Sequence, residues 1–498
     1  MKKPKDVPVQ HSEPSQPDFR NYLGEKKKTI LIAFCVSLVS FVLLKYLYPY
    51  PELFGDSHAY IDWAVRKYAV SYRPTGYSYL LRFLHSISSP AMLTVSVQYL
   101  LFLLSTLFCI LSADFLFKLP QKLVLPLLIL ILINPMLLIQ VNTISSDSVF
   151  SSLTVMWFTL CMWRVIRGNL KLILLQIALL YLCFEVRLTA IFYPVVPVAA
   201  ILLSAFKPLQ KAMAIGLTML VIYFAIERER NLMEETTGTR VYSAFPGWQI
   251  ANNALHTYKH IDLDPSDLPS EDLKLLDACV RYFIDSIPIP PGKVVYSFLW
   301  NTKSPLKQYA GVMSERTGRP YGKIYVATSE LYSEYGWYII RNFPAEYIQY
   351  YLIPNTLLYF YPDREAMTSY CDGATNILPA TQEWFELDTQ NLSCRLPELH
   401  ENIIMAFPPI STLLNIFNIG TVIYFFARAS RKRKALPRGI WQFSMIWSVY
   451  YFLFIAFTIF ATAVNLRFMT PIFVLGFIAP FVLLHNIPRK STERKMAE

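Results

Sequence analysis

Charged side chains recur at the ends of the apolar segments of this 498-residue chain. Asp56 and Asp62 follow the first long apolar run, residues 30–47, and Asp147 lies between two later runs. A carboxylate there can accept a proton from a reacting hydroxyl group, and we expect desolvation at a membrane boundary to raise the pKa of Asp56. A loop that only has to stay hydrated also carries charges, and this simpler interpretation fits Asp62 better than Asp56. Glu52 is a third acid nearby, with nothing to distinguish it.

Three arginines occupy similar places. Arg73 belongs to a turn that contains proline and glycine, Arg187 lies between two apolar runs, and Arg467 lies between the last two. An arginine at a membrane boundary usually faces a polar cavity or a partner, and its forked guanidinium suits a phosphate group. Glu185 is the obvious local partner of Arg187, whereas the three arginines together predict a phosphate-binding site.

Several residues have both a chemical and a structural interpretation. Asp147 could take part in chemistry or cap the helix that follows it. Aromatic and amide side chains bind sugars, although a tryptophan near an interface is also an ordinary membrane anchor. The candidate acceptor-binding residues in two loops are Tyr60, Asp62, Trp248, Gln249 and Asn252.

Histidines and cysteines give weaker signals. His256 and His260 are one helical turn apart but have no third ligand in view, so the sequence requires no cofactor, and a divalent metal is possible without being supported. Three cysteines lie outside the apolar runs, and their odd number allows one disulfide among them. We expect it to join Cys371 to Cys394 and to leave Cys279 free.

The composition is that of an integral membrane protein. Hydrophobic residues make up 54% of the chain and charged residues only 16%. A membrane-spanning helix needs roughly 20 mainly apolar residues, and ten segments are candidates: 30–48, 92–113, 122–141, 148–163, 170–184, 189–205, 211–226, 404–427, 440–462 and 468–485. We therefore predict an all-α polytopic membrane protein with about ten transmembrane helices.

Basic residues in every second loop predict the orientation, because short cytoplasmic loops carry the positive excess. They occur at 26–28, 118–122, 164–171, 207–211, 428–438 and 489–495. Ten spans with both termini in the cytoplasm fit this pattern, and they place Asp56, Asp147, Arg187 and Arg467 on the external face. The net charge of +11 is therefore a topology signal and does not indicate a nucleic-acid partner.

A long acidic segment without an obvious span interrupts the apolar series, and we predict an external soluble domain of α or α+β class there. Within it, residues 337–360 are apolar and aromatic enough for an interfacial helix or a hairpin, broken by Pro344 and Pro354. The predicted divisions are a cytoplasmic tail, a transmembrane module with spans one to seven, the external domain, a second transmembrane module and a second cytoplasmic tail: 1–29, 30–226, 227–403, 404–485 and 486–498.

The boundary motifs form a recognisable set. They are Gly55-Asp56-Ser57-His58-Ala59-Tyr60 with Ala64, Arg73-Pro74-Thr75-Gly76-Tyr77, Ser146-Asp147-Ser148, Arg187-Leu188-Thr189 and the late Arg467. This set resembles the GT-C superfamily of integral-membrane polyprenyl-phosphate-sugar glycosyltransferases, most of all the protein mannosyltransferases and the lipid A aminoarabinose transferases. The resemblance covers spans one to six well and Arg467 more loosely.

The resemblance implies an inverting transfer of a sugar from a polyprenyl-phosphate donor to an envelope glycan, lipid or protein acceptor. Asp56 and Asp147 would be its catalytic acids, and the three arginines would hold the donor phosphate. It also implies a bacterial inner membrane, with membrane lipids as partners and the catalytic face in the periplasm. Protein mannosyltransferases typically carry an Asp-Glu pair in the first loop, whereas this chain has Asp56-Ser57, which speaks against a protein acceptor without excluding one.

A transporter or flippase for a lipid-linked substrate is the alternative, because the same arginines could bind a phosphate that never reacts. Transporters commonly contain internal repeats and polar residues near the membrane midplane. This sequence has no evident repeat, and its polar residues lie at helix ends. The pattern therefore favours the enzyme.

Overall fold

The computed structural model describes residues 18–67, 73–167, 170–286, 298–364, 367–373, 376–432 and 436–487. Across these ranges the protein is helical, and β-structure is limited to isolated bridges that pair Glu52 with Thr143 and Asp363 with Asn465. This architecture confirms the predicted all-α class. The described part of segment 227–403 is helical and contains no strand.

The helices of the first half of the chain are α1 (Phe19–Glu25), α2 (Lys27–Leu47), α3 (Gly55–Arg66), α4 (Gly76–Ile87), α5 (Ala91–Phe117), α6 (Gln121–Leu132), α7 (Pro135–Asn142), α8 (Ser146–Ile166), α9 (Leu170–Val186), α10 (Val195–Leu203), α11 (Pro208–Thr237) and α12 (Phe245–Leu255). Those of the second half are α13 (Glu271–Ser286), α14 (Pro305–Thr317), α15 (Tyr321–Ala327), α16 (Ser329–Asn342), α17 (Pro344–Tyr347), α18 (Ile353–Phe360), α19 (Pro379–Trp384), α20 (Pro397–Lys432), α21 (Arg438–Ala461) and α22 (Thr470–His485). Short 3₁₀ turns span Leu188–Phe192, Tyr258–His260, Pro265–Asp267, Tyr370–Gly373 and Leu466–Met469, and a π-helical turn spans Ile348–Leu352.

In the part of the chain that the structure describes, seven helices are long and apolar enough to cross a membrane. They are α2, α5, α8, α11, α20, α21 and the stretch Leu466–His485 that includes α22, and each coincides with a predicted span. Helices α6 and α7 make an eighth when they are taken as one span bent by 45°. The other two predicted spans correspond to shorter helices, the 17-residue α9 and Leu188–Leu203. The total of ten therefore stays a prediction.

The bend between α6 and α7 follows from two residues. The Asn134 side chain accepts hydrogen bonds from the backbone amides of Met136 and Leu137, and Pro135 occupies the first turn of the new helix. An asparagine cap followed by proline is a strong helix start. The bend leads the chain into the loop that carries Asp147.

Two main hydrophobic clusters lie in the described residues, beside a minor third one that joins α9, α10 and α11. The larger cluster is formed by the apolar helices, and the smaller one by the segment from the end of α11 to α16. Segment 227–403 contributes to both, because Trp248 and Tyr335 lie in the smaller cluster whereas Tyr359 and Phe385 lie in the larger one. The segment thus packs partly against the apolar helices, and α11 and α20 run without a break across its predicted ends.

Two prolines interrupt the helices at 337–360 where the sequence predicts breaks. Helix α16 ends at Asn342, and Pro344 begins the short α17. The π-helical turn Ile348–Leu352 follows, and Pro354 lies in the first turn of α18. The interfacial position of this region stays a prediction.

The seven cysteines are free, so the predicted disulfide between Cys371 and Cys394 is not formed. The Cys371 thiol instead accepts a hydrogen bond from the backbone amide of Leu53, at 3.4 Å. Cys371 and Asp372 both have positive φ angles, which turn the chain sharply at this point. The turn is thereby attached to the loop that precedes Asp56.

Candidate active site

Five charged side chains from distant parts of the sequence meet in one group, which we call the Asp–Arg cluster: Asp56, Arg73, Asp147, Arg187 and Arg467. Arg73 forms an ion pair with Asp56, and Arg187 forms one with Asp147. Arg467 reaches both acids, because its Nη1 atom lies 2.6 Å from Asp56 Oδ2 and 3.7 Å from Asp147 Oδ2. The structure thus joins in direct contact the residues that the sequence places at helix ends on one face.

Four members of the cluster lie at helix ends, and the fifth, Arg73, lies in the loop before α4. Asp56 and Asp147 lie in the first turns of α3 and α8, where the partial positive charge of a helix N-terminus favours a carboxylate. Arg187 directly follows α9, and Arg467 lies in the 3₁₀ turn before α22. Helix ends converge here, so side chains far apart in sequence come within reach of one another.

Asp147 is not the N-cap of α8, which corrects the capping hypothesis. Ser145 holds that position, and its hydroxyl accepts a hydrogen bond from the Asp147 backbone amide at 3.3 Å. The same hydroxyl donates to the Asp147 carboxylate at 3.0 Å. The Asp147 side chain is only 3% exposed. Because the cap is supplied by serine, the Asp147 carboxylate is left to contact the arginines.

Glu185 is not the partner of Arg187. Its carboxylate pairs with Arg228 of α11 at 2.6 Å, whereas Arg187 pairs with Asp147. Residues two apart at a helix end do not face the same side, and this separates Glu185 from Arg187. The glutamate therefore attaches α9 to α11 and leaves Arg187 to the cluster.

Backbone pairing fixes the loops that carry the cluster. The Glu52 amide donates to Asn142 O at 3.1 Å, and the Ile144 amide donates to Glu52 O at 3.0 Å, which joins the loop before Asp56 to the loop before Asp147. The loop before Arg467 is held in the same way, because the Leu466 amide donates to Asp363 O at 2.6 Å. Segments 50–54 and 355–364 thus position the acids and the last arginine.

Glu52 is a distinctive residue, although nothing in the sequence marks it. Burial raises the pKa of its carboxyl group to about 8, against an opposing hydrogen bond from the Thr143 hydroxyl. A carboxyl group with this pKa is mostly protonated at neutral pH. The contact between the two acid-bearing loops therefore contains a neutral carboxyl group.

The pKa of Asp56 moves in the direction opposite to the one expected from desolvation. Burial does raise it, but the guanidinium groups of Arg467 and Arg73 outweigh burial and hold the pKa well below its usual range. Asp56 is therefore ionised and weakly basic while both arginines face it. It becomes a stronger base only when an arginine is drawn to another anion.

The charge of the cluster suits an anion better than a cation. Three guanidinium groups face two carboxylates, which leaves one net positive charge, and both carboxylates are already paired with arginine. The described residues include no group of three or more histidine, cysteine or acidic side chains that could hold a metal ion. Both carboxylates are thus already engaged by guanidinium groups, and the cluster presents a net positive charge to a ligand.

The cluster borders a cavity of about 430 Å³. All five cluster residues contribute to its lining, and its other walls are largely apolar and aromatic. Those walls come mainly from α21, the turn after α9 and α12, and they include Ile191, Phe245, Phe454, Phe457, Phe460 and Phe468. A cavity that combines a cluster of charged side chains with apolar walls can bind a ligand with an anionic head group and a hydrocarbon chain.

Three of the five candidate acceptor-binding residues line this cavity: Tyr60, Gln249 and Asn252. The Tyr60 hydroxyl is hydrogen-bonded to Ser146 Oγ at 2.8 Å. Asp62 points elsewhere, is 49% exposed and pairs with Arg66. Trp248 is fully buried, donates to Tyr325 O at 2.9 Å and does not line the cavity. Asp62 and Trp248 are accordingly placed outside the site.

The two histidines considered as metal ligands contact aromatic rings. His256 packs against Phe298 and Tyr351, with ring centroids 5.8 and 5.4 Å apart. His260 stacks on Tyr350 at 3.6 Å. Both therefore take part in the packing of the α12 region.

Some cavity residues could not be found from the sequence. Tyr242 and Trp300 lie in loops of a chain that contains 32 tyrosines and 9 tryptophans, so their type carries no signal. Phe454, Phe457 and Ala461 do have helical spacing. In a helix that is apolar on every side, however, that spacing cannot tell a cavity wall from a lipid-facing surface.

No protein-family model and no curated protein matches this chain. Two solved structures are similar to it. One is the archaeal oligosaccharyltransferase AglB from Archaeoglobus fulgidus in complex with an inhibitory peptide and a dolichol-phosphate, with 12% identity, a TM-score of 0.41 and coverage of 94% of this chain and 51% of that chain. The other is an Archaeoglobus fulgidus oligosaccharyltransferase tethered to an acceptor peptide with the NVT sequon, with 14% identity, a TM-score of 0.40 and coverage of 94% and 50%. The chain spans about half the length of these structural neighbours, and the likeness is distant.

Proposed function

We propose that this protein is an inverting membrane glycosyltransferase that moves a sugar from a polyprenyl-phosphate donor to an envelope glycan, lipid or protein acceptor. The observation that carries the proposal is that the Asp–Arg cluster lines a largely apolar cavity. The cluster offers guanidinium groups to a phosphate and a carboxylate to a proton. The apolar walls offer a surface to the lipid chain.

Arg467 is the arginine best suited to receive the donor phosphate. Asp56 retains Arg73 and Asp147 retains Arg187 when Arg467 turns to another anion. Neither acid is then left without a partner, so the exchange avoids the cost of an unpaired charge. The shared arginine can thus exchange a carboxylate for a phosphate at low cost.

The charges also balance through the reaction. The phosphodiester of the donor carries one negative charge, which matches the single positive charge of the cluster. In the transfer, the acceptor oxygen forms a bond to the anomeric carbon, the bond from that carbon to the phosphate oxygen breaks, and its electron pair leaves with the phosphate. The acceptor proton passes to Asp56, so the gain of one negative charge on the phosphate coincides with its loss on the carboxylate.

The exchange of partners would also activate the base. Arg467 and Arg73 hold the pKa of Asp56 low before the donor binds. A phosphate that draws Arg467 away removes part of this effect, and burial then raises the basicity of Asp56. Asp147 is better placed to hold Arg187 and Arg467 than to reach an acceptor, because its side chain is almost fully buried.

The finer assignment of the membrane arrangement follows the charge pattern. We place α9 and Leu188–Leu203 in the membrane with the eight stronger candidates, which gives ten spans with both termini in the cytoplasm. The Asp–Arg cluster then opens on the external face, and segment 227–403 lies on the same side. In a bacterial inner membrane this face is the periplasmic one.

Purified protein in liposomes tests the proposal directly. The substrates are polyprenyl-phosphate sugars with a labelled hexose or pentose, supplied together with candidate glycan, lipid and protein acceptors. The readouts are release of polyprenyl phosphate and the distribution of intact donor between the leaflets. We expect at least one donor to be consumed by the wild type and far less by Asp56→Asn, with Asp62→Asn as the matched loss of one carboxylate. Movement of intact donor without any consumption would instead identify a transporter or flippase.

A further inference from the structure

A row of three amide side chains lies on α12 beside the cavity. Asn253 donates from Nδ2 to Phe460 O at 2.9 Å and to Ala461 O at 3.3 Å, at the end of α21. Its Oδ1 atom accepts from Gln249 Nε2 at 2.8 Å and from Asn252 Nδ2 at 3.3 Å. Carbonyl oxygens only accept hydrogen bonds, so the contact with α21 determines which way the Asn253 amide faces.

The orientation of Asn253 fixes that of its neighbour. Because Asn253 presents an oxygen, Asn252 must turn an N–H toward it, and its own Oδ1 atom then faces away from the row. Asn252 is 2% exposed and lines the cavity. Its Oδ1 atom has no hydrogen-bond partner among the described residues. A buried acceptor without a donor is unfavourable, and a bound ligand with a donor at this point would relieve it.

The position of α12 is itself firmly set. A Cβ atom on Gly247 would overlap the Ser329 carbonyl oxygen, and one on Gly336 would overlap Ile250. Helices α12 and α16 therefore meet backbone to backbone, and the Asn252 oxygen is held on a rigid support. Nearby, the rings of Phe245 and Trp300 are stacked with centroids 6.2 Å apart, and both line the same cavity.

We propose that this end of the cavity is a carbohydrate subsite in which Asn252 Oδ1 accepts a hydrogen bond from one hydroxyl group of a sugar. Gln249 offers a second amide, and Phe245 and Trp300 offer aromatic faces to the C–H side of the ring. Asn252 is then a specificity-determining residue that selects sugars with a hydroxyl at one ring position. The inference rests on the proposed function, since the same cavity holds the Asp–Arg cluster, and the sugar belongs either to the donor or to the acceptor.

The test measures binding and does not need turnover. Methyl glycosides of common hexoses and pentoses, each with its set of monodeoxy analogues, are titrated against the wild type, Asn252→Leu and a control. The control is Asn342→Ala, whose side chain donates a hydrogen bond to Tyr338 O in its own helix. We expect the wild type to bind one parent glycoside roughly 10-fold or more tightly than the analogue that lacks one particular hydroxyl. Asn252→Leu should bind both alike, and Asn342→Ala should discriminate as the wild type does.

Two results would overturn the inference. One is a wild-type protein that binds no glycoside, or whose affinity for every monodeoxy analogue is within 2-fold of its affinity for the parent glycoside. This measurement uses the wild type alone and does not depend on the folding of a variant. The other is a folded Asn252→Leu protein with wild-type discrimination. Failure of the proposed function is a separate outcome, seen as glycoside binding that depends on Asn252 without consumption of any lipid-linked donor.

A comparison of two ligands identifies the source of the sugar. If the subsite holds the donor sugar, Asn252→Leu weakens binding of the polyprenyl-phosphate sugar and leaves binding of polyprenyl phosphate unchanged. If the subsite holds the acceptor sugar, Asn252→Leu binds both lipids as the wild type does. The variant then loses only its binding of the glycoside, measured with polyprenyl phosphate present. Either result supports the subsite.

Discussion

Replacement of Asp56 by asparagine should separate donor binding from turnover. The substitution keeps the shape of the side chain and removes both its negative charge and its ability to accept a proton. Loss of a general base typically lowers a rate by roughly 10²–10⁴-fold. The two arginines that Asp56 contacts, Arg73 and Arg467, remain in place. Turnover should therefore fall while the phosphate site stays intact.

The same substitution should strengthen binding of the phosphate. The cluster goes from one net positive charge to two, and a carboxylate and a phosphate that compete for one guanidinium repel each other across about 5 Å. At an effective dielectric constant of about 20 this repulsion is about 3 kcal/mol. The Asp56 side chain is 19% exposed, and solvent screening reduces the gain to about 1–2 kcal/mol, or roughly 5- to 30-fold in affinity.

The assay pairs sugar transfer with titration of polyprenyl phosphate, on purified wild type, Asp56→Asn and Asp62→Asn. Asp62 is half exposed and pairs with Arg66 outside the cavity, so its variant should match the wild type in both measurements. A folded Asp56→Asn protein that keeps wild-type turnover would contradict the role proposed for Asp56, and so would one whose affinity for polyprenyl phosphate falls along with turnover.

Three further predictions follow from individual residues. Arg467→Ala should raise the KM for the donor by roughly 10-fold or more. Arg467→Lys should raise it by less, because the ammonium group keeps a point charge but lacks the forked donors of the guanidinium. With Arg66→Ala as the control, an unchanged KM in Arg467→Ala would remove Arg467 from the phosphate site. The raised pKa of Glu52 means that the folded state holds a proton which the unfolded state releases, so the stability contribution of this group is complete below about pH 4.5 and is lost as the pH rises toward 8. Thermal unfolding of Glu52→Gln should therefore show a weaker loss of stability than the wild type between pH 5 and 8, and parallel curves would contradict this. In a background without native cysteines, an impermeant thiol reagent added to intact cells should label a cysteine at position 259 and not one at 430, and labelling at 430 would overturn the ten-span arrangement.

Much of the architecture could be predicted because the membrane imposes a simple rule. An apolar run of about 20 residues must form a helix with all its backbone groups satisfied, and eight predicted spans have such a helix in the structure, one of them bent. The helix ends could be located too, which explains why Asp56, Asp147 and the arginines were identified together. The way in which these side chains are paired could not be deduced from their spacing.

Three of the errors share one cause, which is that partners distant in sequence determined the outcome. The cap of α8, by contrast, is taken by Ser145, a near neighbour of Asp147. Glu185 pairs with Arg228 of α11 and not with its near neighbour Arg187. Burial raises the pKa of Asp56, but Arg467, 411 residues away, and Arg73 together outweigh burial and lower it. Trp248 is buried because α16 packs on α12, a contact that no local pattern records.

The most direct test of the central claim is a structure of the protein with a phosphonate analogue of a polyprenyl-phosphate sugar, which cannot release its sugar. We predict that the phosphonate oxygens lie within hydrogen-bond distance of Arg467 and at least one other arginine of the Asp–Arg cluster. The lipid chain should lie along Phe454 and Phe457, and the anomeric carbon should face the Asp56 carboxylate. A phosphonate bound away from the cluster, or a sugar held on the side opposite to Asp56, would contradict the proposed function.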